Sequence, residues 1–387
     1  MKKISIIGAL VALVLIVFLL IDSSGLVQKK LSYIADITDE STASTNQSEY
    51  VVLNNDNVLE IQKETVSCFN FNKNYAKNLI WQETSYIKNP EVCKKGGRVC
   101  VYDKQGYGAV VYDENGKVYE LKVNLPIVGI SMNKNGYTCV LQKSNTSKDK
   151  KSIITVFNDM GSKMIERISY EENGGIPIAV SMSDSNETFA ASYLDVSNNN
   201  ILSKVIFFKI DGKELKDNLF SSFEFSNTII TDLKYLNDEN LIAVGDNKIV
   251  KINLFSEKCQ ETKVEDRVKK VILDFDDSIV LICEKLVNEL SDDATYVEVF
   301  SNSLKKKKEQ IIYNSVNQIA TNKNVLTVGN GNDFFIYTSK GVNKCSSSFT
   351  ANVKQLLPMN KSSNMLVVTD KCLQIYRMQY ASIISND

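Results

Sequence analysis

Residues 110–117, VVYDENGK, carry the pattern that predicts the fold, because variants of it recur along the chain. A β-branched run leads to an aromatic residue, Tyr112, and then to a polar turn with glycine and lysine. ITVFNDMGSK at residues 154–163 and IFFKIDGK at residues 206–213 repeat the same order of residue types. A run of this kind, bounded by Asn, Asp and Gly, is typical of a β-strand that ends in a tight turn.

The recurring strand returns at a regular interval. Weaker copies begin at residues 250, 297, 334 and 373, and an upstream stretch, NVLEIQKE, holds the same place in the pattern. The aligned positions are Ile61, Tyr112, Phe157, Phe208, Phe255, Phe300, Tyr337 and Tyr376. Their spacing averages 45 residues, which is the size of one four-stranded β-propeller blade.

A second element precedes most copies and supplies the first two strands of each unit. It consists of an alternating strand, a polar turn and a second apolar strand, as in IVGISMNKNGYTCVL from residue 127. The four prolines, at positions 90, 126, 177 and 358, lie at or within its first strand. Each unit therefore contains four strands. The pattern predicts an all-β protein, a β-propeller with eight blades, while seven blades and an open β-solenoid are the alternatives.

The two ends of the repeat are incomplete. No fourth strand follows Tyr376, and no clear first strand precedes Val51. A strand at residues 33–37 can fill one vacancy and close the ring, which removes open strand edges that invite aggregation. We expect the propeller domain to span residues 50–379 and a C-terminal tail to span residues 380–387.

The N-terminus is predicted to be a membrane anchor. Residues 4–21, ISIIGALVALVLIVFLLI, contain no charge and follow Lys2 and Lys3. As a helix they span about 27 Å, close to the thickness of the hydrocarbon core. The positive-inside rule places residues 1–3 in the cytoplasm and the bulk of the chain outside the cell membrane, joined to the anchor by a polar tether at residues 22–49. The alternative is a cleaved signal peptide, whose apolar region is usually shorter and ends in a small-residue cleavage site.

The composition excludes several classes of function. Of the 387 residues, 43% are apolar and 24% are charged, and the net charge is −1. The chain contains no histidine, which excludes Ser-His-Asp and Cys-His catalysis and histidine-ligated zinc or haem. A net charge near zero gives no support to nucleic-acid binding. We identify no catalytic, cofactor-binding or metal-ligating residues, and we expect no cofactor.

One pair among the eight cysteines has the spacing of a cross-strand pair. Cys93 and Cys100 flank the stretch KKGGRV, and a Gly-Gly turn in it can bring the two residues opposite each other. A disulfide is possible there if the two Cα atoms approach within about 7 Å. The paired short spacings of a thiolate metal site are absent from the sequence.

Three units have a long connection between their second and third strands, at residues 142–152, 194–203 and 284–295. In a propeller these connections project from one face, and insertions on one face of a repeat array often form the binding face. The candidate partner-binding residues in them are Lys148, Asp149, Lys150, Asp195, Asn198, Asn199, Asp292 and Asp293. The alternative is that these loops are long without having a function, because lengthening a surface loop costs little free energy.

A run of four lysines, residues 305–308, aligns with the turn between a third and a fourth strand. Lysines at this place protect an outer strand edge from pairing with another chain. The alternative interpretation is a patch for anionic lipid or cell-wall polymer.

The hydrophobic anchor, the polar tether and the strand pattern together resemble one known family. The stretches VVLNNDNVLEI from residue 51, NPEVCKKGGRVCVYD from residue 89 and SYLDVSNNNILSKVIFF from residue 192 are the most similar parts. The family consists of membrane-anchored propeller proteins of Gram-positive anaerobic bacteria and is known only as a domain of unknown function. The resemblance implies a fold and a topology but no activity.

The favoured function is a non-catalytic binding or scaffold platform held near the cell envelope. Its expected partner is another envelope protein or a cell-wall polymer. One alternative is an envelope enzyme that acts on glycan through carboxylates and tyrosines at the centre of the ring. Another is an assembly factor that adds a strand of a client protein to an exposed blade edge.

Overall fold

The computed structural model describes residues 29–37, 48–71, 73–144, 146, 150–196, 200–211, 218–284, 295–312, 316–322, 324–360 and 363–380. The predicted cytoplasmic stub and anchor, residues 1–21, lie outside these ranges, as do residues 38–47 of the predicted tether and residues 381–387. Within the described ranges, no helix is long and apolar enough to cross a bilayer.

The described residues form β-strands that associate in units of four, which we number along the chain. The strand that comes first in the chain is β1 (Lys29–Ile37). Unit 1 contains β2 (Glu49–Val52), β3 (Val58–Ile61), β4 (Thr65–Phe71) and β5 (Lys77–Thr84). Unit 2 contains β6 (Pro90–Lys95), β7 (Arg98–Asp103), β8 (Gly108–Asp113) and β9 (Gly116–Lys122). Unit 3 contains β10 (Ile127–Met132), β11 (Thr138–Lys143), β12 (Lys151–Phe157) and β13 (Lys163–Tyr170).

The next three units have the same organisation. Unit 4 contains β14 (Ile176–Met182), β15 (Thr188–Asp195), β16 (Leu202–Lys209) and β17 (Leu219–Ser226). Unit 5 contains β18 (Ile230–Asn237), β19 (Asn240–Gly245), β20 (Lys248–Asn253) and β21 (Lys258–Lys263). Unit 6 contains β22 (Arg267–Phe275), β23 (Ser278–Glu284), β24 (Thr295–Ser301) and β25 (Lys306–Ile312). Each of these six units is a separate antiparallel sheet with its strands in sequence order.

Units 7 and 8 are joined in one eight-stranded sheet. Unit 7 contains β26 (Gln318–Asn322), β27 (Val325–Gly329), β28 (Asp333–Thr338) and β29 (Asn343–Ser348). Unit 8 contains β30 (Val353–Pro358), β31 (Asn364–Thr369) and β32 (Leu373–Tyr380), and β1 is its fourth strand. β1 pairs antiparallel with β32 from Lys29–Tyr380 to Ile37–Leu373, and it touches β29 in parallel at Lys29–Cys345.

The alternation of strand direction gives the protein two faces. In every unit the first-to-second and third-to-fourth turns lie at one end of the strands, which we call the hairpin face. The second-to-third turns and the connections between units lie at the other end, which we call the connector face. Two short 3-10 turns, Asn54–Asp56 and Glu171–Asn173, lie in the connections between strands.

The core lies between neighbouring units. Buried apolar side chains of the described residues form eight clusters, and each cluster is shared by two neighbouring units. Phe207 of unit 4, for example, packs against Tyr235 of unit 5 with ring centroids 6.2 Å apart. One cluster joins unit 8 back to unit 1 and contains Ile37, Val58 and Leu366. The units therefore form a closed ring. Burial of apolar side chains between neighbouring units stabilises the packing of each unit on the next.

The predicted all-β fold with units of four strands is confirmed, but two aligned positions were wrong. Ile61 lies in β3, a second strand, and Phe69 in β4 occupies the third-strand place of unit 1. The error arises because a second strand followed by a polar turn has the same residue pattern as a third strand. Phe255 lies beyond the end of β20 and is exposed, while Ile252 and Leu254 are the buried side chains there.

Candidate binding site

The connector face carries the longest connections between second and third strands. From the strand bounds, these connections have 7 residues in unit 3, 6 in unit 4 and 10 in unit 6, against 2 to 4 in the other units. The predicted long connections of these three units are therefore present on one face. Units 3 and 4 are neighbours, so the strand ends that bound two of the three connections lie in adjacent units.

Of the eight predicted partner-binding residues, the structure describes Lys150 and Asp195. Lys150 is exposed, with its Nζ 3.7 Å from Glu171 Oε2. Asp195 Oδ2 lies 3.9 Å from Lys204 Nζ. Ion pairs this long add little stability. The other six candidate residues lie outside the described ranges, at positions 148, 149, 198, 199, 292 and 293.

Exposed aromatic and aliphatic side chains accompany these connections. Tyr86 lies between units 1 and 2, Tyr107 lies in the second-to-third turn of unit 2, and Tyr170 ends β13. Tyr86 has 89% of its surface exposed, and the other two are about half exposed. Val196 and Ile201, in the connection of unit 4, are also exposed. Tyrosines are enriched at protein interfaces because their large rings bury apolar area while the hydroxyl stays hydrogen-bonded.

We call the exposed residues Tyr86, Tyr107, Tyr170, Val196 and Ile201 the connector-face patch. They run around the face from unit 1 to unit 4, beside the long connections of units 3 and 4. Their exposure was not predicted from the sequence, because a tyrosine near a strand end has the same neighbours in the chain whether it is buried or exposed. The signal in the sequence that could have indicated exposed residues here is a tyrosine at the end of a strand, next to a long polar connection.

Two cavities lie within the ring, lined mainly by first strands. One, of about 370 Å³, reaches the hairpin face, where Asp184 lines it. The other, of about 250 Å³, opens toward the connector face, where Glu49 and Asn317 line it. Both are polar enough to hold water or a small polar ligand.

Carboxylates with raised pKa values line these cavities. Burial raises the pKa of Glu49, the charge of Glu91 raises it further, and Lys270 opposes the shift. Burial also raises the pKa of Asp232, although a hydrogen bond donated by Thr231 Oγ1 at 2.7 Å lowers it in part. Glu49 lines the smaller cavity and Asp232 the larger one, so these two carboxylates do not lie within one cavity.

A tyrosine–carboxylate contact lies beside the larger cavity. Tyr102 lines that cavity, and its hydroxyl donates a hydrogen bond to Glu91 Oε2 at 2.7 Å. Burial, with Glu91 nearby, raises the pKa of Tyr102. The phenol therefore stays protonated at neutral pH and acts as a hydrogen-bond donor rather than as a base.

The two cysteines singled out by their spacing are opposite each other. Cys93 and Cys100 are register partners in the hairpin of β6 and β7. The turn is Gly96-Gly97, both with positive φ, as the favoured two-residue hairpin turn requires. Neither thiol is in a disulfide bond in the structure, and burial raises the pKa of Cys100 well above its usual range. The disulfide itself stays a prediction.

The chain matches a known family over most of its length. The model described as "Family of unknown function (DUF5711)" matches residues 28–378. This match supports the resemblance to a family of uncharacterised propeller proteins. No curated protein sequence matches the chain significantly.

Solved structures are similar in fold. BamB from Moraxella catarrhalis is similar over 92% of this chain and 99% of its own, with 11% identity and a TM-score of 0.52. The C-terminal WD40 domain of Sif2 is similar over 92% of this chain and 99% of its own, with 12% identity and a TM-score of 0.58. WD40 domains are β-propellers, so the likeness identifies the fold as propeller-like. Identities this low carry information about the fold alone.

Proposed function

We propose a function for this chain, which belongs to the family of unknown function DUF5711, from the chemistry of its connector face. It is an eight-bladed β-propeller, held at the outer side of the cell membrane by a single helix at residues 4–21. It acts as a non-catalytic binding platform for another envelope protein or a cell-wall polymer. The closed ring of eight units supports the blade number, and the uncharged N-terminal run supports the anchor.

One observation carries the proposal: the three long second-to-third connections, of units 3, 4 and 6, and the connector-face patch lie on the same face. The ring holds the strand ends that carry the connections, and the residues of the patch, at fixed positions, which limits the conformational entropy lost when a partner binds. Exposed tyrosines with neighbouring polar loops suit a protein surface, or a glycan that stacks on aromatic rings. A small apolar ligand would need an enclosed apolar pocket instead.

The test is capture of partners by cross-linking in intact cells, using the tagged full chain. One variant carries Tyr86→Ser, Tyr107→Ser and Tyr170→Ser. The matched control carries Met160→Ser and Phe255→Ser, which are exposed to 73% and 75% on the hairpin face. We expect the tyrosine variant to capture at least about tenfold less partner than the parent chain, as for interface hot spots. The control variant should capture as much partner as the parent chain.

Equal capture by the two variants would contradict binding at this face. The tether has its own test, because deleting residues 1–28 should impair function in the cell while the ring still folds. Full complementation by that truncated chain would contradict the tethering.

A second candidate function is addition of a client strand to an outer edge. The fourth strand β13 exposes Met164 and Ile168, and within the described residues no further strand pairs with its outer side. Binding by backbone pairing would tolerate Met164→Ser and Ile168→Ser but not a proline in the strand. Capture that survives the tyrosine changes and fails with Ile168→Pro would favour this candidate.

A further inference from the structure

We propose that the hairpin face of the ring rests against anionic lipid headgroups, through a lysine rim on units 6, 7 and 8, so that the connector face points away from the bilayer. This inference rests on the proposed anchor and adds to it the orientation and a lipid-contact surface. It follows from where β1 lies and in which direction it runs.

β1 begins at the hairpin face. It pairs antiparallel with β32, whose first residue, Leu373, follows the second-to-third turn on the connector face. Lys29 pairs with Tyr380 at the opposite end of β32, which is the hairpin-face end. β1 has nine residues, so eight steps of about 3.4 Å place Ile37 about 27 Å from Lys29, toward the connector face.

The chain between anchor and ring is short. The predicted tether of residues 22–49 includes β1, so only residues 22–28 separate the anchor from Lys29. Seven residues reach at most about 25 Å when fully extended. The hairpin-face end of unit 8 is therefore held close to the membrane surface, and the connector face lies a further strand length away.

Exposed lysines surround this point on the rim. Lys305 lies in the third-to-fourth turn of unit 6 and Lys308 is the third residue of β25, which follows that turn. Lys340 lies in the third-to-fourth turn of unit 7, and Lys30 lies in β1. We call these four residues the lysine rim. The strands that carry them adjoin, because a Cβ on Gly341 would lie 2.5 Å from Lys308 Cβ and β29 touches β1 at Cys345–Lys29.

Other groups on the rim fit the same contact. Lys29 Nζ lies 4.7 Å from the centre of the Tyr380 ring, which is partly exposed at the same end. A tyrosine with a lysine is the pairing typical of a membrane interface. The carboxylate of Glu309 forms an ion pair with Lys306 Nζ. Asp276 and Asp277 lie in the first-to-second turn of unit 6 on the hairpin face. Asn302, in the third-to-fourth turn, donates a hydrogen bond to Asp277 Oδ1 at 3.3 Å, so this carboxylate borders the rim.

The lysine rim complements a negatively charged surface. Lysines near an anionic bilayer are attracted within about one Debye length, roughly 8–10 Å, and each contributes to binding. A tether that holds the rim at this distance removes most of the entropy cost of the contact. Four lysines then suffice to fix an orientation.

The test uses the full chain reconstituted in vesicles that contain a lipid with a photoactivatable headgroup. One set of vesicles is phosphatidylcholine, and the other contains roughly one third phosphatidylglycerol. Cross-linked peptides are mapped by mass spectrometry. The rim variant carries K30Q, K305Q, K308Q and K340Q. The control carries K63Q, K122Q, K143Q and K371Q, which remove the same charge from exposed positions on the connector face.

We expect lipid cross-links in the turns at residues 302–305 and 339–342, stronger with phosphatidylglycerol and weaker in high salt. The rim variant should lower their yield at least about threefold, and the control should leave it unchanged. Cross-links on the connector face, or equal yields from the rim variant and the parent, would overturn the orientation alone. Extraction of the parent chain by alkaline carbonate would overturn the anchor and the orientation together.

Discussion

Tyr50 and Gln355 hydrogen-bond to each other twice, although 305 residues separate them in the chain. Tyr50 N donates to Gln355 Oε1 at 3.0 Å, and Gln355 Nε2 donates to Tyr50 O at 3.4 Å. Tyr50 lies in β2, the innermost strand of unit 1, and Gln355 lies in β30, the innermost strand of unit 8. One side chain thus joins the two ends of the repeat by satisfying a backbone amide and a backbone carbonyl.

The Gln355→Ala variant should weaken the closure of the ring. It removes both partners of the Tyr50 backbone groups, and an unsatisfied buried group costs about 1–3 kcal/mol of unfolding free energy. Chemical unfolding of the full chain measures the change. Gln82→Ala, at an exposed position of β5, is the control. An unfolding midpoint for Gln355→Ala that equals that of the control would contradict the role of this contact.

The packing of β1 gives a second prediction. Ile37 is buried in the cluster shared by units 8 and 1, so Ile37→Ala should lower the unfolding free energy by about 2–5 kcal/mol. The loss should also loosen β1 from β32 and increase self-association, because an outer strand edge becomes available. Unfolding midpoints and light scattering measure the two effects. Lys30→Ala, exposed in the same strand, should change stability by less than about 0.5 kcal/mol.

The smaller cavity predicts a dependence of stability on pH. Because burial raises the pKa of Glu49 above its usual value of 4.5, the folded chain keeps this proton at pH values where the unfolded chain has lost it. The contribution of Glu49 to the unfolding free energy therefore falls as the pH rises above 4.5 through the folded pKa, and it stays low above that.

Glu49→Gln removes this contribution. The stability gained over the parent should grow with pH across that window and then stay constant. Unfolding free energies measured at a series of pH values provide the check, with the exposed Glu64→Gln as control. A gain that is independent of pH, or one that shrinks as the pH rises, is incompatible with a raised pKa.

The hairpin of β6 and β7 predicts which disulfide can form. Directly opposite residues in such a pair have Cα atoms about 4.5–5.5 Å apart, within the range of disulfides. Diamide treatment of the folded chain should link Cys93 to Cys100 ahead of any other pair, slowly because the pKa of the Cys100 thiol is raised. Peptide mapping after alkylation identifies the product, and Cys100→Ser should abolish it. A main product that joins Cys93 to another cysteine would show that the register differs.

Some of these features were visible in the sequence because they follow from local chemistry. Gly96-Gly97 allows a two-residue turn, and the spacing of Cys93 and Cys100 then fixes the register. The third strands were recognised where an aromatic residue such as Tyr112 precedes a glycine turn. Phe255 was misassigned because the turn after β20 itself contains an aromatic residue, and only packing decides which apolar side chain is buried.

Features that depend on how distant parts of the chain are placed relative to each other could not be predicted from the sequence. The axial positions of Glu49 and Asp232 depend on the radius of the ring and on the tilt of each strand. The exposure of Tyr86 depends on how unit 1 meets unit 2. The direction of β1, which sets the distance between the anchor and the ring, follows only from its pairing with β32.

The pairing of Lys29 with Tyr380 has a consequence for how the protein is made. Among the described strands β1 is synthesised first and its partner β32 last, and at roughly 5–20 residues per second the partner arrives tens of seconds later. Through that interval units 1 to 7 can form while β1 waits with its hydrogen-bonding edge open. Contacts this distant in sequence slow folding. The ring can therefore be completed only after nearly the whole chain has emerged, so a truncated chain is left with an open strand edge that quality-control factors can recognise.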